Sequence, residues 1–228
     1  MQGIAAALPI IMGYFPIGFA FGVLAATAGL GTGSAAAMSV FVFAGSAQLI
    51  SVGLIEGGAG PLTLAATVFL VNLRHLLMSA YLAPYLGRLK RWQQVLFCYE
   101  LTDETFAVHS TYFRRHGTPP VAYLVALNLS SHLSWVVSTL AGAWICGRLP
   151  VDTKLFGLDY ALPAMFIALL IMQLESWNRA VIALLAAALS MAFFAGGLGH
   201  WHVILATLIA ASAGAFLETK QQKGAKTQ

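Results

Sequence analysis

Apolar residues run along this chain in long uninterrupted blocks, at about 3–29, 34–55, 61–84, 93–112, 119–147, 160–174, 179–197 and 200–217. Most approach the roughly 20 residues that a helix needs to cross a hydrocarbon core of about 30 Å. None alternates polar and apolar positions as a strand of a membrane barrel would. In lipid every backbone N–H and C=O has to be bonded internally, so runs of this length predict helices. The pattern predicts an all-α fold, a polytopic integral membrane protein of about seven or eight helices. Residues 1–228 read as a single transmembrane domain.

Several blocks carry residues that interrupt helices, which predicts short or discontinuous elements. The first contains Pro9, Gly13, Pro16, Gly18 and Gly22, and the second has Ala44-Gly45-Ser46-Ala47-Gln48 near its middle. Proline removes an amide donor and crowds the preceding turn, and flanking glycines loosen the backbone further. Half-helix ends are expected near Pro16 and Gly45. The sixth block, Ala161 to Leu174, is only about 21 Å long at 1.5 Å per residue. Interrupted and short apolar segments point to a transporter binding site, because the freed amides and carbonyls become ligands. The ordinary reading of the same glycines is close helix packing.

Composition agrees with the pattern. Hydrophobic residues make up 59% and charged ones 9% of the chain, against roughly 25% charged in a soluble domain. The net charge of +4 does not indicate a nucleic-acid binder, because the basic residues sit in short clusters between apolar blocks, as topology determinants do. Cys98 and Cys146 lie in or beside apolar blocks without metal or redox spacing. The first block is too long for a cleavable leader and no basic residues precede it, so none is expected.

The candidate chemistry lies in polar residues at apparent membrane depth. Asn72, Arg74 and His75 fall inside the third block, Thr102, Asp103 and Glu104 inside the fourth, and Asn128 and His132 inside the fifth. A charge at that depth costs about 2.5–3.5 kcal/mol on insertion scales, so it normally faces a partner or a water-filled path. Arg74 is expected to pair with Asp103, while the other carboxylate, or Glu100 on Glu104's side, faces water; Asp103 or Glu104 is the expected titrating group, with His75 and His132 as further relay candidates. The competing reading is a static salt bridge. Together with Gly13, Pro16, Gly18, Gly45, Ser46 and Gln48 these residues form the candidate substrate and proton pathway. Phe19, Phe41, Phe43 and Phe69 are candidates for housing an aliphatic group. His109, His116, His200 and His202 lie near block ends and are expected at the interface, whereas Trp135 is deeper.

Charge distribution adds a topological expectation. If the fourth block enters and returns, Arg88, Lys90, Arg91, Arg114, Arg115, Arg179, Lys220, Lys223 and Lys226 share one face, with Arg148 and Lys154 opposite. A full crossing would divide them nearly evenly, which the positive-inside rule disfavours. An odd number of elements therefore fails to span, the fourth block being the first suspect and the short sixth the second.

An enzyme is not expected. Ser46 lacks the glycines of a nucleophile elbow, and neither His75 nor His132 has an evident orienting acid. A metal carrier is a weaker alternative, because His75, His132, Asp103 and Glu104 lack tight ligand spacing.

Gly13-Tyr14-Phe15-Pro16-Ile17-Gly18-Phe19-Ala20-Phe21-Gly22, Phe43-Ala44-Gly45-Ser46-Ala47-Gln48, Val71-Asn72-Leu73-Arg74-His75-Leu76-Leu77, Leu82-Ala83-Pro84-Tyr85-Leu86 and Leu101-Thr102-Asp103-Glu104-Thr105-Phe106, in this order and spacing, resemble the AzlC family. The likeness extends from about residue 3 to about residue 215 and includes Ala161-Leu162-Pro163-Ala164-Met165-Phe166. The family comprises large subunits of two-component bacterial exporters. The resemblance implies a permease of the inner membrane that exports valine, leucine, isoleucine and methionine, driven by the proton gradient, with a small hydrophobic AzlD-type subunit and no cofactor. The alternative is a non-transporting scaffold or channel subunit, or a carrier of a metal or another small solute.

Overall fold

The computed structural model describes residues 2–149, 160, 164, 167, 170, 171, 174, 176–198 and 201–225, and all regular elements among them are helical. Helices α1 (Gln2–Thr27), α2 (Thr32–Phe41), α3 (Gly45–Glu56), α4 (Pro61–Leu82), α5 (Arg91–Tyr99), α6 (Asp103–His116) and α7 (Val121–Cys146) lie in one packing unit, Met1–Met165. Helices α8 (Trp177–Ala195) and α9 (Trp201–Ala225) lie in a second, Phe166–Gln228. Among the described residues, Gln2–Thr27, Pro61–Tyr85, Val121–Cys146 and Trp177–Ala195 are long and apolar enough to cross a membrane, and Leu205–Phe216 is a shorter apolar stretch. The short sixth block and the motif from Ala161 to Phe166 fall largely outside the described residues.

The first unit is built on α1 laid along α7. Gly18 and Gly22 of α1 and Gly142 of α7 make the close approach possible: a Cβ on Gly22 would collide with the Thr139 carbonyl, and one on Gly142 with that of Phe19. This packing corrects an expectation. α1 runs unbroken through Pro9 and Pro16, so there is no half-helix end near Pro16. The contact with α7 holds the helix along its buried line of Tyr14, Gly18, Phe21 and Gly22, and a carbonyl freed by proline inside a membrane helix is satisfied locally. Gly18 therefore serves helix packing. Gly13 faces open space, where an added Cβ would meet nothing within 4 Å.

The second block is broken where expected. α2 stops at Phe41 and α3 starts at Gly45. Between them Phe43 takes φ 41°, a left-handed conformation that costs a bulky residue energy and persists only when its surroundings hold it.

The fourth block is broken too, at Glu100–Thr102, and its two helices fold back on each other. The Phe97 ring lies 4.8 Å from that of His109 and 6.2 Å from that of Phe113. A straight helix would hold residues 97 and 113 about 24 Å apart. Beyond the hairpin, the Thr118 hydroxyl donates to the Tyr85 carbonyl, tying the segment before α5 to the segment after α6. Leu82, Leu86, Phe97, Leu101, Phe113 and Leu124 fill the space inside. Arg88, Lys90 and Arg91 thus lie at the same end of the hairpin as Arg114 and Arg115, as the entering-and-returning reading of the charges requires.

In the second unit, α8 starts where the Ser176 hydroxyl accepts the Arg179 amide at 3.4 Å. A turn through Gly197 (φ 81°) follows the helix, and α9 packs on α8 with Gly214 against Ile182.

Candidate functional site

The two breaks meet between α1 and α7, and the polar residues of the apolar blocks gather there. α6 begins with a reciprocal cap. The Thr102 amide donates to Thr105 Oγ1 at 2.8 Å, and the Thr105 amide donates to Thr102 Oγ1 at 3.3 Å. This stops the helix at Thr102 and places Asp103 and Glu104 in its first turn, where the positive end of the helix dipole favours carboxylates.

Each carboxylate then has its own partner from another helix. Arg74 Nη1 of α4 lies 2.6 Å from Asp103 Oδ2, the pairing expected from the sequence. The Arg74 Nη2 group donates to Ser46 Oγ, in the first turn of α3, at 2.5 Å. Tyr14 of α1 donates its hydroxyl proton to Glu104 Oε2 at 2.7 Å, with Thr102 Oγ1 2.5 Å from the same phenol oxygen. Arg74 Nε and Asn72 Oδ1 are buried and have no hydrogen-bond partner among the described residues. No side chain caps the first turn of α3, Gly45 to Ala47, and the turn is tied to Arg74 through Ser46 Oγ. His75 follows Arg74 on α4 and is partly buried.

A second group lies on the α7 side. His132 Nδ1 is 3.0 Å from both oxygens of Glu100, at the end of α5, and its Nε2 is 3.0 Å from the Ser39 carbonyl of α2. The Phe43 ring stacks on His132 with centroids 3.9 Å apart, which explains how its left-handed backbone is held. Gln48 is fully buried in a fixed chain: Trp135 Nε1 donates to Gln48 Oε1 at 3.1 Å, Gln48 Nε2 to Ser39 Oγ at 3.1 Å, and Ser39 to Thr139 Oγ1 at 2.9 Å. Asn128 Oδ1 lies 2.7 Å from His109 Nε2 and does not join His132.

The geometry thus brings Ser46, Arg74, Thr102, Asp103 and Glu104 together, with Asn72 and Gly45 beside them. It assigns Gln48 and Gly18 to packing and leaves Gly13 and Pro16 on an unbroken helix. Three expectations need correction. His109 is fully buried and paired, not interfacial. Phe41 and Phe69 are 75% and 66% exposed, away from the buried polar groups, and Phe43 is committed to His132. Glu100, a candidate for facing water, is buried against His132 instead. The sequence pattern does not single out Tyr14 and Ser39, although each is a polar residue inside an apolar block, which is the available signal. Among the described residues no three His, Cys, Asp or Glu converge as a metal set.

These features define an all-α, polytopic membrane protein whose buried charges collect at two broken helices. The chain belongs to the AzlC family: the family model described as AzlC protein matches residues 9–149. An uncharacterized membrane protein of Archaeoglobus fulgidus is 30% identical over 212 residues, covering 91% of this chain and 90% of that protein. Inner membrane protein YgaZ of Escherichia coli is 28% identical over 182 residues, 77% of this chain and 73% of that one. The branched-chain amino acid transport protein AzlC of Bacillus subtilis is 26% identical over 186 residues, 81% of this chain and 72% of its own. No solved structure matches the chain.

Proposed function

We propose that this protein is a secondary active exporter of branched-chain amino acids (valine, leucine, isoleucine and also methionine) across the bacterial inner membrane. In this reading residues 1–228 act as one multi-pass transport domain, driven by the proton gradient, together with a small AzlD-type membrane subunit. It catalyses no covalent chemistry. The observation that carries the proposal is the Arg74–Asp103 pair beside the uncapped first turn of α3. An amino acid presents a carboxylate and an ammonium group a few ångströms apart. The free amides of α3 and the Arg74 guanidinium suit the first, and Asp103 suits the second. The substrate replaces each half of the ion pair with its own opposite charge, so no charge is left unpaired when it enters. The name of the Bacillus subtilis relative supports the substrate class.

Counterflow of labelled leucine in liposomes tests this reading, using the purified chain with and without the small subunit. Leucine counterflow that requires this chain, and that Arg74→Ala abolishes, supports it. Equal flux from the small subunit alone would make this chain a scaffold.

A further inference from the structure

We propose that Glu100 and His132 form a proton-binding site, and that the proton held there locks the break between α2 and α3. The donors around His132 do not balance without it. A neutral imidazole carries one N–H and one lone pair. His132 faces acceptors on both sides, the Glu100 carboxylate at Nδ1 and the Ser39 carbonyl at Nε2, each at 3.0 Å. Both contacts hold only if the pair carries one proton more than a neutral histidine beside an ionised glutamate. That proton sits on Nδ1 or on the carboxyl group, and the geometry is the same.

When the proton leaves, one N–H remains for two acceptors. The ionised carboxylate is the stronger acceptor, so the Ser39 carbonyl loses its partner. This carbonyl belongs to the last turn of α2 and takes no backbone amide, since Val42 and Phe43 both donate to Met38. His132 is therefore the partner of the Ser39 carbonyl, beside the bonds that Thr139, Gln48 and Tyr99 make to the same turn, and its ring is also what Phe43 stacks on at the break. Releasing it loosens the loop that leads into α3 and hence to Ser46 and Arg74.

The other groups that face this region have partners of their own, His109 through Nε2 alone, its buried Nδ1 having none among the described residues. From α1, Tyr14 bonds Glu104, and from α6, Asp103 pairs with Arg74 of α4 and His109 with Asn128. On α5, the Tyr99 hydroxyl donates to the Val40 carbonyl. α2 carries no titratable residue, and α3 carries only Glu56 at its far end. The remaining titratable groups on these helices, Arg91 and Cys98 on α5, His75 and Tyr81 on α4, Tyr123 and Cys146 on α7 and the α6 residues from Tyr112 onward, have no hydrogen bond to the pair in this structure. The proposal deepens the proton-driven reading by naming its proton site, yet the lock is measurable without any transport.

The test uses the full chain with Cys98→Ala and Cys146→Ala and a single reporter, Ala44→Cys, at a position buried inside the break. Maleimide labelling is measured from about pH 6 to about pH 9 in this protein and in the same protein carrying Glu100→Gln. The glutamine amide donates to His132 Nδ1 without a titrating proton, so its lock stays closed. The ratio of the two rates cancels the reporter thiol's own ionisation. One linked proton makes that ratio rise, by at most about tenfold per pH unit, between the pKa values of the pair in the open and the closed state, and level off above the latter. A ratio that does not change with pH would overturn the proposal. Should Glu100→Gln fail to fold, ¹⁵N-histidine spectra of the parent protein decide. His132, assigned by its loss in His132→Gln, should show Nδ1 in a hydrogen bond at about pH 6, and a bare Nδ1 there would overturn the lock. Failure of leucine counterflow with a pH-dependent ratio intact would instead reject the transport reading and keep the lock.

Discussion

Removing either partner of the Arg74–Asp103 pair should destabilise the protein unequally, and the inequality follows from what each change leaves behind. The side chains are 27% and 19% exposed, with the charged atoms 2.6 Å apart. Breaking a fully buried pair costs about 3–5 kcal/mol because one charge is stranded, and replacing both is far milder. Partial exposure trims this to roughly 2–4 kcal/mol. Arg74→Ala strands Asp103, but that carboxylate still lies over the first turn of α6, which retains about 0.3–1 kcal/mol of dipole stabilisation. Asp103→Ala strands Arg74, whose other contact is Ser46 Oγ. Asp103→Ala should therefore be the worse single change by up to about 1 kcal/mol. The double variant should lose at least about 2 kcal/mol less than the sum of the two. Unfolding by sodium dodecyl sulfate in mixed micelles, followed by tryptophan fluorescence, gives all four stabilities. Losses that add within about 0.5 kcal/mol would show that the two charges do not depend on each other.

Single cysteines at Arg91 and Arg114, in a background without Cys98 and Cys146, should show equal protection from an impermeant thiol reagent added outside cells; labelling of one alone would refute the returning hairpin. Gly22→Ala should cut folded yield sharply, since its Cβ meets the Thr139 carbonyl, a backbone overlap worth about 1–3 kcal/mol or more. Gly13→Ala meets nothing and should gain up to about 1 kcal/mol from helix propensity; matching yields for the two would contradict the packing of α1 on α7. Tyr14→Phe removes the hydroxyl shared by Thr102 and Glu104 and should cost about 1.5–3 kcal/mol in the same micelle assay. An unchanged midpoint would mean that Glu104 has another partner.

Long apolar blocks settle helix and membrane without reference to any contact, because hydrocarbon leaves an unbonded backbone no alternative. The same holds for the breaks in the second and fourth blocks. Gly45 and Ser46, and the Thr102–Thr105 cap with its two acidic residues, are local signals of a helix start. Even the returning hairpin is legible, since the clustering of basic residues is a property of sequence order alone. Partnership is different in kind. Pro16 and its neighbouring glycines have the composition of a break, yet α1 is unbroken because α7 lies against Gly18 and Gly22. The sequence neighbours of Glu100 do not reveal His132, 32 positions away. Nor do those of Gln48 reveal Trp135, or those of His109 reveal Asn128. A buried polar atom takes its partner from whichever helix the packing brings within about 3 Å, and that choice exists only once the helices have been put together.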